Sequence, residues 1–158
     1  MNEKDNPPDD FALEEFLPYR LSLISNTVSQ GISSAYRKQF SLSITEWRVV
    51  AMLGRFPGLT ASEVMQRTAM DKVAVSRAVH HLLDKGLLVR TPHEEDRRRQ
   101  LLHLAPGDGV ALFNEVVPKA LEYERQFVSS LSDAERERFS ELLNKLQAAA
   151  ERLNRGQS

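Results

Sequence analysis

Apolar residues return at helical spacing along most of this chain. From Phe11 the series Leu17, Leu21, Ile24, Val28, Ile32 and Ala35 steps by threes and fours and predicts a helix running to about Lys38, with Pro18 tolerable in its first turn. Ser43-Ile44-Thr45-Glu46 is a capping box, in which hydroxyl and carboxylate satisfy each other's main-chain amides. It opens a helix carrying Trp47, Val50, Ala51 and Leu53, with Trp47 expected in the core, that closes before Pro57-Gly58. Thr60-Ala61-Ser62-Glu63 is a second box and starts a short helix. After a break around Thr68 to Met70, Asp71 caps a further helix to Lys85, where Gly86 offers a left-handed stop. Two β-rich runs, Leu87 to Thr91 and Arg99 to Leu104, surround the charged Pro92 to Arg98 and predict a hairpin. Beyond it, Pro106 fits the first turn of a helix reaching about Ser129 and kinked by Pro118. Ser132-Asp133-Ala134-Glu135 then caps a last helix to about Leu153 carrying Phe139, Leu142, Leu143 and Leu146.

On a helical wheel the segment after Asp71 separates cleanly. Val75, Ala78, Val79 and Leu82 share one side; Val73, Ser76, Arg77, His80 and Asp84 share the other. One face is core and the other is free to read something. A helix-turn-helix followed by a hairpin is a winged helix, which places its second helix in the major groove of DNA and its wing in the neighbouring minor groove. The predicted fold class is mostly α with a small β-hairpin wing, a winged helix-turn-helix flanked by N- and C-terminal dimerisation helices. Residues 1–10, with Pro7-Pro8 and four acids, form a tail expected to be disordered or to wrap a partner. Residues 11–158 form one domain, with the winged-helix lobe at about 44–105 and dimerisation helices at about 11–40 and 106–154. The terminal helices carry more apolar surface than one small domain can cover, so the economical arrangement is a homodimer with interlocked ends.

Composition narrows the classes. The 158 residues contain no cysteine, which removes disulfides, thiolate metal sites and cysteine nucleophiles. No apolar run approaches a membrane span, and the N-terminus has no signal-peptide core, so a cytoplasmic location is expected. The net charge of -1 is unusual for a DNA binder, but its distribution is uneven. Residues 60–105 hold eight basic against six acidic side chains; the remainder holds thirteen against sixteen.

At the residues of the helix-turn-helix and hairpin the chain resembles the MarR family of bacterial transcriptional regulators. The likeness lies in Val75-Ser76-Arg77, in Leu82 followed by Lys85-Gly86-Leu87-Leu88-Val89-Arg90, and in the wing pattern Asp96-Arg97-Arg98 ending at Leu104. It extends less sharply over about Leu17 to Leu146. Val73, Ala74 and Ala105 stand where the family often has Ser or Thr, so polar contacts from those positions do not carry over.

On the reading helix, Lys72 and the Ser76 hydroxyl suit phosphate, Arg77 suits a bidentate contact to guanine, Val73 suits a thymine methyl, and His80 shares their face. The resemblance matches Arg98 to the arginine that the family inserts in the minor groove and Asp96 to the acid that orients it. Arg97 and Arg99 flank Arg98 and suit phosphate. The resemblance further implies a repressor released by a small molecule, often a phenolic or other aromatic anion, bound near Tyr36, Phe40, Trp47 and Arg48. Double-stranded DNA with a pseudo-palindromic operator, a second copy of the chain and this effector are the expected partners.

Four histidines, at 80, 81, 93 and 103, show no familiar metal-ligand spacing, and no metal or cofactor is expected. No nucleophile-base pair or phosphate loop marks an enzyme. The competing reading is a winged-helix dimerisation or protein-interaction module without DNA binding. Such a module needs neither Arg98 nor a groove-facing Arg77.

Overall fold

A computed structural model describes residues 11–68, 70–94, 96 and 98–156, apart from the side chain of Ala35. The expected tail at 1–10, and Arg97, lie outside the described residues. Among the described residues, six helices and one hairpin follow in the order α1 (Leu17–Phe40), α2 (Ile44–Arg55), α3 (Ala61–Thr68), α4 (Lys72–Asp84), β1 (Leu88–Pro92), β2 (Gln100–Leu104), α5 (Asp108–Phe127) and α6 (Asp133–Arg155).

The starts follow the side-chain chemistry. In α2 the Ser43 hydroxyl accepts the Glu46 amide at 3.2 Å while the Glu46 carboxylate accepts the Ser43 amide at 2.7 Å. The same exchange joins Thr60 to Glu63 and Ser132 to Glu135, and Asp71 accepts the Ala74 amide at 2.8 Å. Each cap satisfies main-chain donors that a helix start leaves open. The stops are left-handed turns: Ser41 with φ 53° after α1, and Gly86 with φ 70° after α4.

The hairpin is antiparallel, with Leu88 opposite Leu104, Arg90 opposite Leu102 and Pro92 opposite Gln100. A bridge between Leu59 and Leu102 ties its base to the segment before α3. The core joins α2, α3, α4 and the hairpin base through Leu42, Val49, Val50, Leu53, Val64, Val75, Leu82 and Leu102, all with almost no exposed surface. Burying each such side chain stabilises the fold by about 1.5–3 kcal/mol before entropic costs.

Two expectations require correction. Trp47 is half-buried rather than core, and the buried stripe of α2 is Glu46, Val49, Val50 and Leu53. Tyr36 takes the interior place, and Trp47 meets it edge-on with ring centroids 5.3 Å apart. Pro106 precedes α5 instead of opening it. Gly107, at φ 88°, reverses the chain first and Asp108 begins the helix.

Two compact units divide at Pro118, inside α5, where the ring leaves the Asn114 carbonyl without its usual amide donor. The winged-helix elements belong to the first unit. In the second, α6 buries none of its residues within the chain. Among the described residues, no helix is long and apolar enough to cross a membrane.

Candidate nucleic-acid interface

Helix α4 separates into two faces as its pattern predicts. Val75, Ala78, Val79 and Leu82 are buried; Lys72, Val73, Ser76, Arg77 and His80 are exposed, Val73 at 57%. An apolar side chain left that bare on a packed helix is available for contact with an apolar group such as a base methyl. His80 is committed along its own helix, with its Nε2 3.3 Å from the Asp84 carboxylate one turn on.

Between α3, α4 and the wing lie two adjoining depressions. The one of about 470 Å³ is walled by Ser62, Met65, Lys72, Ser76 and Arg90. The other, of about 690 Å³, is walled by Glu63, Gln66, Arg90, Arg98, Arg99 and Gln100. The structure thereby brings Lys72 and Ser76 from α4 and Arg98 and Arg99 from the wing to one continuous surface. Arg77 and His80 sit on the same exposed side of α4 without lining either hollow.

Arg90 lines both depressions, a role beyond those the sequence suggests. Its parity held the signal. Residues paired directly across an antiparallel ladder share a face, so Arg90, opposite the buried Leu102, points to the helices and emerges between them and the wing.

At the wing tip, the Asp96 carboxylate accepts the main-chain amide of Arg98 at 3.0 Å, and the Asp96 carbonyl accepts the Arg99 amide at 2.9 Å. His93 donates its amide to the Arg99 carbonyl at 3.0 Å and closes the loop. Among the described residues, Asp96 thus contacts the backbone that carries Arg98. A side-chain acceptor of this kind fixes a turn without needing its charge.

Glu63 faces this surface from the start of α3. The Thr60 hydroxyl and amide, and then the nearby Arg99 and Arg67 guanidinium groups, hold its carboxyl below the ordinary glutamate range. Its negative charge therefore persists beside the wing arginines and tempers their field. Arg67 and Arg55 flank the Phe56 ring, with their guanidinium carbons 4.7 and 5.2 Å from its centroid.

Tyr36, Phe40 and Trp47 form one aromatic cluster at the α1–α2 turn, with Tyr36 buried and the other two half-buried. Arg48 is exposed beside Trp47. It lines a 440 Å³ depression on α2 with Trp47, Met52 and Arg55, which Tyr36 and Phe40 do not reach. Among the described residues, no group of three or more His, Cys, Asp or Glu side chains converges on a point that could hold a metal. His103 bonds Thr91 across the outer face of the wing at 2.9 Å.

Comparison with known proteins follows the same elements. The family model described as MarR family matches residues 40–99. A putative transcriptional regulatory protein for the hcr operon of Thauera aromatica is 30% identical over 125 residues, covering 74% of each chain. The crystal structure of a MarR/EmrR family transcriptional regulator from Acinetobacter sp. ADP1 superposes with a TM-score of 0.83 at 25% identity, over 90% of this chain and 99% of that one. Bordetella bronchiseptica BpsR, solved in work on the regulation of its DNA binding by 6-hydroxynicotinic acid, gives a TM-score of 0.77 at 25% identity, over 89% of this chain and 98% of its own.

Proposed function

The chain belongs to the MarR family and is a DNA-binding transcriptional regulator; from that premise we propose that it works as a cytoplasmic homodimeric repressor, presenting paired α4 helices to a pseudo-palindromic operator and released by a small aromatic anion. The observation that carries this reading is the exposed face of α4 continuing into the basic surface of the wing. In it, Arg77 and Val73 meet base edges in the major groove, Lys72 and Ser76 meet phosphate, and His80 borders them. Arg98 enters the minor groove, where a narrow A·T tract concentrates negative potential, on a loop held by Asp96. Arg99, Arg97 and Arg90 engage the backbone.

The second copy is supported by α6. Phe139, Leu142, Leu143 and Leu146 recur on one face of that helix and are each at least 40% exposed. Such a stripe needs a covering surface. The effector class rests on the Tyr36, Phe40 and Trp47 rings with the Arg48 cation, and on the regulation of BpsR by an aromatic acid.

The test is selection of duplexes from a random-sequence pool by the purified protein, followed by footprinting and sedimentation of the complex. The expected product is a pseudo-palindrome bound by two chains, with half-sites about 34–36 Å apart. Recovery of no preferred sequence would favour a winged-helix module for protein interaction and defeat the repressor reading.

A further inference from the structure

Glu46 is the one charged side chain that is buried among the described residues, at 5% exposure. Burial alone raises the pKa of its carboxyl. The Ser43 amide, the Lys85 ammonium and the Ser43 hydroxyl outweigh that effect and hold the group ionised, below the ordinary glutamate range. Its two oxygens do different jobs. Oε2 completes the cap of α2 by accepting the Ser43 amide, while Oε1 takes the Lys85 Nζ at 3.0 Å, with His81 Nδ1 further off at 3.9 Å.

Lys85 is the residue that ends the reading helix. The same Nζ also donates to the Ser41 carbonyl at 3.0 Å, at the left-handed turn between α1 and α2. One ammonium therefore joins the last turn of α4 to two points on the α1–α2 junction, 39 and 44 residues earlier in the chain.

The rest of α4 is held by apolar contacts through Val75, Ala78, Val79 and Leu82. Those resist lifting the helix, and the driving force behind them is non-directional. A charged, two-acceptor bond at one end supplies the missing direction. Arg77 lies eight residues before Lys85, about 12 Å along the axis at 1.5 Å per residue, so a small shift at the anchor reaches the base-reading side chains almost undiminished. Nothing in the capping or core role of α4 requires a buried charge here, since the helix already ends at the Gly86 turn.

We propose that Glu46 and Lys85 are positioning residues for DNA recognition, holding α4 in the pose its exposed side chains need without touching DNA themselves. The proposal rests on the assignment of α4 as the reading helix.

Three variants separate this from simpler explanations: Glu46→Gln, Lys85→Met and Lys85→Arg. Glu46→Gln keeps an oxygen for the Ser43 amide and removes only the charge. Each is titrated by fluorescence anisotropy against a duplex selected by the wild-type protein from a random pool, and against poly(dI-dC). Glu46→Gln and Lys85→Met are expected to weaken binding to the selected duplex about tenfold, the scale of a lost charged hydrogen bond, with poly(dI-dC) affinity not reduced. Lys85→Arg is expected to restore most of the loss.

The sign for Glu46→Gln decides the matter. If the acid acts only through its field, removing it strengthens binding to both DNAs, and the proposal fails. Equal losses on both DNAs for Lys85→Met, with a salt slope smaller by about one per protomer, make Lys85 a phosphate ligand and also overturn it. Uniform losses that follow a fall in melting temperature, unrescued by Lys85→Arg, reduce the pair to a structural brace. Variants indistinguishable from wild type on a selected duplex defeat the anchor alone. Failure of the wild type to select any sequence removes the reading-helix assignment beneath it.

Discussion

Gly109, in the first turn of α5, packs so closely on the base of the wing that an added Cβ would stand 2.2 Å from the Leu87 carbonyl oxygen. The obstacle is main chain. That oxygen accepts the Ala105 amide at 2.9 Å, and Leu87 sits between the Gly86 turn and β1, so it has little room to give. Gly109→Ala therefore has two opposed effects. Helix propensity favours alanine by at most about 1 kcal/mol, less in a first turn. Relieving the overlap requires α5 to retreat by roughly an ångström from the Leu87 and Leu104 backbone, an overpacking cost of about 1–3 kcal/mol. The overlap wins. The net loss of about 1–2 kcal/mol corresponds to a fall in melting temperature of roughly 2–8 °C for a chain of this size. Calorimetry of wild type and variant at one fixed protein concentration compares them on equal terms. Gly156→Ala serves as the control, because its Cβ would meet only carbonyl oxygens at 3.7 Å, and its melting temperature should stay level or rise slightly. Gly109→Ala melting at or above wild type, with the control behaving as expected, would refute the close seat of α5 on Leu87.

Further expectations concern the DNA surface and acid. Arg77→Ala should cost about 1–3 kcal/mol on a selected duplex and relax one position per half-site; an equal loss on random DNA would demote Arg77 to a phosphate contact. Arg98→Ala should weaken binding mainly where A·T-rich flanks narrow the minor groove, read by titrating A·T- and G·C-flanked duplexes. On the same duplexes Asp96→Asn should resemble wild type and Asp96→Ala should show a milder form of the Arg98→Ala defect, since the carboxylate is used as an acceptor for the Arg98 amide; an Asn variant as impaired as Ala would mean that the charge is needed. The Glu46 carboxyl titrates below its ordinary value of 4.5 when folded, so its contribution to stability is present above that pH and lost as the pH falls through the depressed value. Glu46→Gln should accordingly flatten the acid limb of melting temperature against pH, and an unchanged limb would contradict the cause assigned to the shift.

Local rules carried most of the fold. The three boxes beginning at Ser43, Thr60 and Ser132, the Asp71 cap and the Gly86 turn place helix ends because the partners lie three residues apart and the chemistry is complete within the segment. The division of α4 into a buried and an exposed face is likewise a property of one helix. The structure departs from these rules at two places, one tertiary and one in the backbone beside the residue. Trp47 yields the interior to Tyr36, on a different helix, and Pro106 is displaced from α5 by the reversal at Gly107. The bond between Glu46 and Lys85 spans 39 residues and left no periodic or capping signature for Lys85. Arg90 was concealed by its exposure. Its place two residues after the buried Leu88 gives the face, and the ladder register sets it opposite Leu102.

The wing's burial falls away along its length. Leu88 on the first rung and Leu102 on the third are buried, and the Leu59 bridge pins Leu102, whereas Pro92 and Gln100 close the ladder in the open. A two-stranded ribbon has little stability of its own, so the free energy for opening each rung declines outward from that anchor. Amide-exchange lifetimes should grade the same way, longest at Leu102 and shortest towards the last pair. Arg98 stands beyond the last rung, so if it enters a groove as proposed, the conformational entropy surrendered there belongs to the association step. Heating should loosen the wing's hold on DNA well before it melts the helices that carry it.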